Sequence, residues 1–241
     1  MGRVRGDTIR AVRDARPARG ALALPPAPCQ GDRRGRDDPV GGSALTLALV
    51  RHTPAQVAPG ICYGRLDLPL RVASAQDIAA VLDRLGDFRP DTIITSPSLR
   101  CRLLADAIAV ACGGAVITDP RLLELDFGDW EGLAWDEVPR ALLDRWAADL
   151  SGFAPPGGES GAALIVRVSA AYRSLPPRGR HVVVSHGGPL RVLAALAGAA
   201  PVDLSTPAPP LGSVAVFAPR PQTIRSSSGD LAGPSAPAPG V

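Results

Sequence analysis

The chain has 241 residues, 46% of them hydrophobic, and a formal net charge of +3. This length indicates one domain with terminal extensions, and no apolar run approaches the roughly 20 residues that a membrane helix needs. Residues 1–43 carry nine Arg and five Asp, whereas residues 44–241 carry seventeen Arg and eighteen Asp and Glu. The second part is therefore close to neutral, which argues against a nucleic-acid surface.

The cysteine pattern limits the chemistry that the chain supports. The four cysteines are spread along the sequence, at Cys29, Cys62, Cys101 and Cys112. No two of them form a Cys-x-x-Cys pair, which argues against a structural zinc site or a redox motif. Cys62 and Cys101 are therefore expected to pack rather than to react. Since no segment has the features of a secretion signal, we expect a cytoplasmic protein.

The two ends of the chain differ in composition from its middle. Residues 1–43 mix Arg, Asp, Gly and Pro without periodicity, and residues 219–241 are rich in Pro, Ser, Gly and Ala. Neither segment has enough regularly spaced apolar residues to offset the entropy that is lost on ordering. We expect both to be disordered and place the folded domain at residues 44–218.

Short apolar runs alternate with helical patterns along this domain. The runs predict strands at Leu45–Val50, Thr92–Thr95, Ala115–Thr118, His181–Ser185 and Ser213–Phe217. The helical patterns cover Ser74–Leu85, Ser98–Cys112, Leu133–Leu150, Glu159–Leu175 and Pro189–Ala197. Ser96 and Ser98 supply capping chemistry for the second helix, and Pro139 is expected to interrupt the third. The alternation predicts an α/β three-layer sandwich, with a mostly parallel sheet and helices on both faces.

Two of the predicted strands end in a histidine. Leu47–Val50 is followed by Arg51 and His52, and Val182–Ser185 is followed by His186. Ligands of open α/β sheets bind at the carboxyl ends of parallel strands. A neutral imidazole can attack phosphorus and form a phosphohistidine, and the planar fork of arginine binds two phosphate oxygens at once. The two strand ends therefore predict phosphate chemistry.

Residues elsewhere in the chain extend this hypothesis. Arg100 lies in the first turn of a predicted helix, whose N-terminus also attracts anions. Gly187 follows His186, so the backbone can approach a phosphate closely there. Glu124, in a polar loop, is the best-placed acid to protonate a leaving oxygen. Asp126, two residues further on, is its rival for that role.

Together these segments resemble the motifs of the histidine phosphatase superfamily, the phosphoglycerate-mutase-like proteins, over the predicted domain. The segments are LVRHT, TSPSLRCRLLA, LLELDFGDWEG and VVVSHGG, and they occur in the family's order. The resemblance implies that His52 is the phosphohistidine nucleophile and that Glu124 is the proton donor. It also implies that Arg51, Arg100 and His186 bind the phosphate, and that no metal or other cofactor takes part.

Within the superfamily, the sequence looks most like the α-ribazole phosphatase branch. This resemblance rests on the segments CYGRLDLPL, FGDWEG and PPGGES. Enzymes of that branch remove the 5′-phosphate of α-ribazole phosphate, or of its cobamide form, during cobalamin assembly. The chain departs from the family after His52, because Thr53 stands where Gly is usual and the next loop lacks the usual Asn. Thr53 and Gln56 are the candidates to supply the missing phosphate contact.

The sequence leaves other interpretations open. A broad-specificity histidine phosphatase would use the same motifs. A phosphoglycerate mutase would return the phosphoryl group to its substrate by excluding water, but the short loop at Ser151–Gly158 favours hydrolysis. A catalytically silent module that only binds phosphorylated ligands is a further alternative. We expect a small phosphorylated substrate, no nucleic-acid or membrane partner, and either a monomer or a homodimer.

A metal site formed by three histidines is the least favoured alternative. His181 lies five residues before His186, so in extended backbone their side chains should point to opposite faces. The sequence also lacks an HExxH motif and a His-x-His spacing. We therefore expect His181 to lie outside the site and no metal to be bound.

Overall fold

A five-stranded sheet forms the centre of the computed structural model, which describes residues 44–72 and 74–218. Its strands are β1 (Thr46–Arg51), β2 (Thr92–Thr95), β3 (Ala115–Thr118), β4 (Arg180–Ser185) and β5 (Val214–Phe217). Their order is β3-β2-β4-β1-β5, with β1 to β4 parallel and β5 antiparallel to β1. The prediction of a mostly parallel sheet is thus confirmed. The disorder predicted for residues 1–43 and 219–241 concerns segments outside the described residues.

Five α-helices accompany the sheet in the described part of the chain. They are α1 (Ser74–Leu85), α2 (Leu99–Cys112), α3 (Arg140–Ala148), α4 (Gly161–Arg173) and α5 (Gly187–Ala197). Short 3₁₀ turns occupy Pro120–Leu122 and Gly128–Trp130. The helix predicted from Leu133 is shorter than expected and begins only after Pro139. The reason is that a residue directly before proline is disfavoured in helical backbone.

The helices form two layers, one on each face of the sheet. α1 and α2 pack on the face to which Ala48 and Val50 point. α4 and α5 pack on the opposite face, against Leu47 and Leu49. Because neighbouring residues of a strand point to opposite faces, β1 is apolar on both sides and lies inside the sheet. This arrangement is the predicted three-layer sandwich.

The start of α2 is capped by a residue from a distant loop. Ser98 occupies the N-cap position, but its side chain makes no capping hydrogen bond, contrary to the prediction. Asp67 Oδ1 instead accepts from the backbone N–H of Leu99 at 2.7 Å. The loop that carries Asp67 is thereby fixed against the first turn of the helix that carries Arg100.

A third apolar cluster lies apart from the two layers. Trp130 is buried at its centre with Cys62, and further aromatic rings pack around them. Trp135 and Trp146 stack with their ring centroids 6.0 Å apart, and Phe127 meets both rings edge-on. The cluster includes all three tryptophans of the chain. It joins the loop after β1, the loop after β3 and α3 into one body beside the carboxyl ends of the strands.

Candidate active site

β1 and β4 bring the two histidines together. The strands are adjacent and parallel, and Arg51 of β1 pairs with Ser185 of β4. His52 and His186 therefore leave the sheet side by side, with their ring centroids 5.1 Å apart. Both side chains are buried, at 2% and 0% exposure. The two residues lie at the carboxyl ends of inner strands, which is where α/β proteins bind their ligands.

The hydrogen bond of His52 fixes which ring nitrogen is protonated. Nδ1 lies 2.8 Å from the carbonyl oxygen of Thr53. Since a carbonyl only accepts, Nδ1 carries the proton and Nε2 keeps its lone pair. Burial, together with the positive charges of Arg100 and Arg51, lowers the pKa of His52 to about 3. The ring is therefore neutral at physiological pH, which is the form that a nucleophile requires.

Two cations lie beside this ring, the buried Arg100 and the half-buried Arg51. Neither Arg51 nor Arg100 forms an ion pair within the described residues. Arg51 donates to the carbonyl of Pro209, and burial lowers its pKa while the charge of Glu124 opposes that shift. The Nε of each arginine is buried and has no hydrogen-bond partner. Because a buried cation without a counter-ion is unfavourable, the pair favours the binding of an anion.

His186 orients Arg100 in this structure. Nη2 of Arg100 lies 3.2 Å from Nδ1 of His186, and because a guanidinium only donates, Nδ1 accepts. Nε2 of His186 therefore carries the proton and donates to Ser96 Oγ at 2.8 Å. Burial, and next the charge of Arg100, lower the pKa of His186 well below its usual range. Both ring nitrogens of His186 are thus hydrogen-bonded within the protein, and one of these bonds fixes the position of the Arg100 guanidinium.

Glu124 is held at the N-terminus of α5. Its Oε1 accepts from the backbone N–H groups of Leu125 at 2.9 Å and Gly188 at 3.1 Å. A Cβ on Gly188 would lie 2.4 Å from Oε1, so glycine is needed there to admit the carboxylate. Glu124 lines the same cavity as His52. Its carboxyl group can therefore exchange a proton with a group bound beside that histidine.

Asp126, the rival acid, is bound elsewhere. Its Oδ2 forms an ion pair with Arg65 at 3.0 Å, and its Oδ1 accepts from the backbone N–H of Gly128 at 2.9 Å. Asp126 is also absent from the residues that line the cavity. The geometry therefore favours Glu124 as the acid.

The three residues expected to support phosphate binding occupy different places. Gly187 lines the cavity, and a Cβ there would lie 3.4 Å from the guanidinium carbon of Arg51. Thr53 is buried and orients His52 through its carbonyl, whereas its Oγ1 has no hydrogen-bond partner. Gln56 is exposed and does not line the cavity, so the structure does not bring it together with the other site residues. Its backbone N–H is bound to the carbonyl of Pro69 at 2.8 Å, which fixes this loop segment away from the site.

His181 lies at the amino end of β4, whereas His186 follows the carboxyl end. Its Nε2 is 2.8 Å from the carbonyl oxygen of Arg178. Across residues 44–72 and 74–218, no group of three or more His, Cys, Asp or Glu side chains could hold a metal ion. No helix in the same ranges is long and apolar enough to cross a membrane.

A cavity of about 270 Å³ extends from the two histidines to the aromatic cluster. One end, the phosphate end, holds the histidines and arginines described above. The other end, called the leaving-group end, is largely apolar. Its three rings, Phe127, Trp135 and Trp146, are called the aromatic wall. Arg191 of α5 also lines the cavity, and its buried Nε has no hydrogen-bond partner. A leaving group would therefore meet flat rings and one further guanidinium.

The family model of the histidine phosphatase superfamily, branch 1, matches residues 47–227. The chain belongs to this superfamily. Phosphoserine phosphatase 1 of Hydrogenobacter thermophilus is 34% identical over 171 residues, which are 67% of this chain and 79% of that protein. A probable phosphoglycerate mutase of Klebsiella pneumoniae is 36% identical over 151 residues, which are 59% and 70% of the two chains.

Solved structures of other histidine phosphatases have the same fold. The mycobacterial glucosyl-3-phosphoglycerate phosphatase is 29% identical with a TM-score of 0.61, over 72% of this chain and 89% of its own. An Escherichia coli protein named for α-ribazole-5′-phosphate phosphatase activity is 25% identical with a TM-score of 0.60, over 67% and 83%. Members of the superfamily are phosphatases or mutases of small phosphorylated substrates, and the chain shares that general activity.

Sequence reasoning did not find the residues at the leaving-group end. Arg191 lies four residues after Gly187, so one helical turn brings both to the same side of α5. That spacing is a signal present in the segment GGPLR. Trp135 and Trp146 lie on separate elements, and only the packing of the third cluster makes them one surface. No local pattern predicts that these two tryptophans line the same cavity.

Proposed function

We propose that this protein is a phosphomonoester hydrolase that acts through a phosphohistidine, with α-ribazole 5′-phosphate as its substrate. The observation that carries the proposal is the neutral, buried ring of His52, whose Nε2 keeps a lone pair. Arg51 and Arg100 lie beside it and form no ion pair within the described residues. A nucleophile beside two cations that have no direct ion pair suits a phosphate ester.

The first step of this mechanism forms the bond between Nε2 and phosphorus. His52 attacks in line, the bond from phosphorus to the ester oxygen breaks, and Glu124 gives its proton to that oxygen. Arg51 and Arg100 stabilise the charge on the equatorial oxygens. The product alcohol then leaves, and the phosphoryl group stays on His52.

Water completes the reaction. Glu124, now a carboxylate, takes a proton from water while the water oxygen attacks phosphorus. The bond between phosphorus and nitrogen breaks, and its electron pair returns to Nε2 of His52. Inorganic phosphate leaves, so the neutral ring and the protonated acid are both restored.

The aromatic wall supports a leaving group that carries a flat ring. α-Ribazole bears a benzimidazole base, which gains stacking energy against Trp and Phe side chains. Trp135 and Trp146 line the cavity that leads from His52. The name of the Escherichia coli neighbour also supports this substrate.

Arg191 favours a second candidate, a phosphate ester that carries a carboxylate. Its guanidinium lines the cavity without a hydrogen bond to Nε, and arginine binds carboxylates with two parallel hydrogen bonds. Phosphoserine and 3-phosphoglycerate both have a carboxylate close to the phosphate. The relative named phosphoserine phosphatase 1 is consistent with this class.

Phosphate release from four substrates tests the proposal, with EDTA present throughout. The substrates are α-ribazole 5′-phosphate, phosphoserine, 3-phosphoglycerate and an aryl phosphate. We expect α-ribazole 5′-phosphate to give the highest kcat/KM and His52→Ala to abolish turnover. If the variant keeps more than about a tenth of wild-type activity, roughly a 1.4 kcal/mol change in barrier, His52 is not the nucleophile.

Other results of this assay would each support a different function. Preference for phosphoserine would establish the second candidate, and release only from the aryl phosphate would indicate a broad-specificity phosphatase. Formation of 2-phosphoglycerate from 3-phosphoglycerate with little free phosphate would identify a mutase. Binding of these esters without turnover of any of them would identify a silent binding module.

A further inference from the structure

Glu131, a carboxylate near the site, has no place in that mechanism. It belongs to the FGDWEG segment and directly follows the 3₁₀ turn at Gly128–Trp130. Its Oε1 accepts from the backbone N–H groups of Arg65 at 2.8 Å and Phe127 at 3.2 Å. Its Oε2 accepts from the backbone N–H of Leu66 at 2.6 Å. This single carboxylate thus holds together the loop after β1 and the loop after β3.

The loop after β1 also binds Arg100. Nη2 of Arg100 donates to the carbonyl of Gly64 at 2.6 Å, and Nη1 donates to the carbonyl of Leu66 at 2.9 Å. The carbonyl of Gly64 and the N–H of Arg65 belong to the same peptide group. That peptide group therefore accepts from Arg100 at one end and donates to Glu131 at the other.

We propose that Glu131 is the positioning residue of Arg100 and acts through the peptide group between Gly64 and Arg65. The inference rests on the proposed function only in taking Arg100 as a phosphate ligand. A carboxylate that accepts from the N–H polarises the peptide group, which makes its carbonyl a stronger acceptor for the guanidinium. Glu131 thereby compensates the charge of Arg100 without an ion pair.

An indirect counter-ion suits a residue that must bind phosphate. A carboxylate in direct contact would occupy the N–H groups that the phosphate needs and would repel the anion. Arg100 directs three hydrogen bonds to the protein, to Gly64, Leu66 and His186. Because a guanidinium has five N–H groups, two remain for a ligand, and one of them is on the buried Nε.

The loop is packed so closely that a small displacement would move its carbonyls. A Cβ on Gly64 would lie 2.0 Å from the carbonyl oxygen of Leu125 and 2.9 Å from Oε1 of Glu131. On the other side, Asp67 binds the first N–H of α2. The turn is also held by the ion pairs of the Arg65 side chain with Asp126 and Glu159. Loss of Glu131 leaves those contacts in place and removes the one made to the N–H of the peptide group itself.

Glu131→Gln tests the inference, with inorganic phosphate as the probe in calorimetry and an aryl phosphate for turnover. The amide keeps the shape of the side chain but replaces one acceptor oxygen by a donor that faces a backbone N–H. We expect the Kd of phosphate to rise about 10-fold, and kcat/KM to fall by a similar factor. Glu137→Gln is the matched control, since Glu137 accepts from the backbone N–H of Ala134 at 3.1 Å and does not contact the Gly64–Leu66 turn. The Kd of phosphate for Glu137→Gln should equal that of the wild type.

A double-mutant cycle separates positioning from general structural support. In an Arg100→Met background, Glu131→Gln should change the phosphate Kd by less than about 2-fold, because its effect passes through Arg100. A 10-fold loss in both backgrounds, or no loss in either, would overturn the inference. If Arg100→Met does not fold, Arg100→Gln, which also lacks the cation, replaces it with the same expectation, and Glu131→Asp likewise replaces Glu131→Gln. Because phosphate binding needs no turnover, an inactive protein with this coupling would contradict the proposed function alone.

Discussion

The two ends of the cavity are built from different parts of the fold. At the phosphate end, His52 and His186 follow adjacent strands, and Arg100 lies in the first turn of α2. At the leaving-group end, the aromatic wall and Arg191 come from loops and helices. At the first end, strand pairing places the two histidines, whereas the second is a largely apolar surface with one cation. On the proposed function, the sheet positions the nucleophile and elements outside it select the substrate.

Removal of Arg100 should cause the largest effect and should not depend on the leaving group. We expect Arg100→Met to lower kcat/KM at least about 100-fold for every substrate, because all of them share the phosphate. Arg102→Met is the matched control, since this neighbouring arginine of α2 is exposed, and it should leave kcat/KM unchanged. Steady-state kinetics with the four substrates measures both. A loss of kcat/KM confined to one substrate would show that Arg100 contacts the leaving group. The two ends of the cavity would then not have separate roles.

Shortening a ring of the aromatic wall should instead give a selective effect. Trp135→Leu is expected to lower kcat/KM for α-ribazole 5′-phosphate about 10-fold, since stacking of one base on an aromatic ring contributes roughly 1–3 kcal/mol. The value for phosphoserine should change by less than about 2-fold. Trp130→Phe is the control, because Trp130 belongs to the same cluster but does not line the cavity. An equal loss on both substrates would mean that the wall supports the fold rather than the leaving group.

Arg191 should show the opposite selectivity. We expect Arg191→Met to lower kcat/KM for phosphoserine about 10-fold, because a charge-assisted hydrogen bond to the carboxylate is lost. Turnover of α-ribazole 5′-phosphate should hardly change. The ratio of the two kcat/KM values, measured in one preparation, is the decisive quantity. If both substrates lose equally, Arg191 contacts the phosphate and belongs to the phosphate end.

The sequence predicts residues of the phosphate end but not those of the leaving-group end. His52 and His186 follow continuous apolar runs, so the local pattern alone places them at the carboxyl ends of parallel strands. The wall residues Trp135 and Trp146 carry no such signal, because distant elements bring them together. The contact of Glu131 with Leu66 spans 65 positions and is equally invisible to local spacing. The expectation for Gln56 followed its position in a motif, whereas the backbone hydrogen bond to Pro69 sets the path of that loop and leaves the side chain exposed.

The smallest expected effect concerns stability and tests whether the phosphate end holds a neutral histidine. Burial lowers the pKa of His52 from the usual 6.5 to about 3, so the unfolded chain binds a proton that the folded protein does not. The free energy of unfolding should therefore decrease as the pH falls below about 6.5, and His52 alone should contribute a loss of about 2 kcal/mol between pH 7 and pH 5. Urea unfolding at pH 7 and pH 5 measures this decrease in the free energy of unfolding for the wild type and for His52→Gln. The decrease should be about 2 kcal/mol smaller in the variant than in the wild type. Equal losses would mean that folding does not lower the pKa of His52, so that the ring takes up its proton between pH 7 and pH 5 in the folded protein as well.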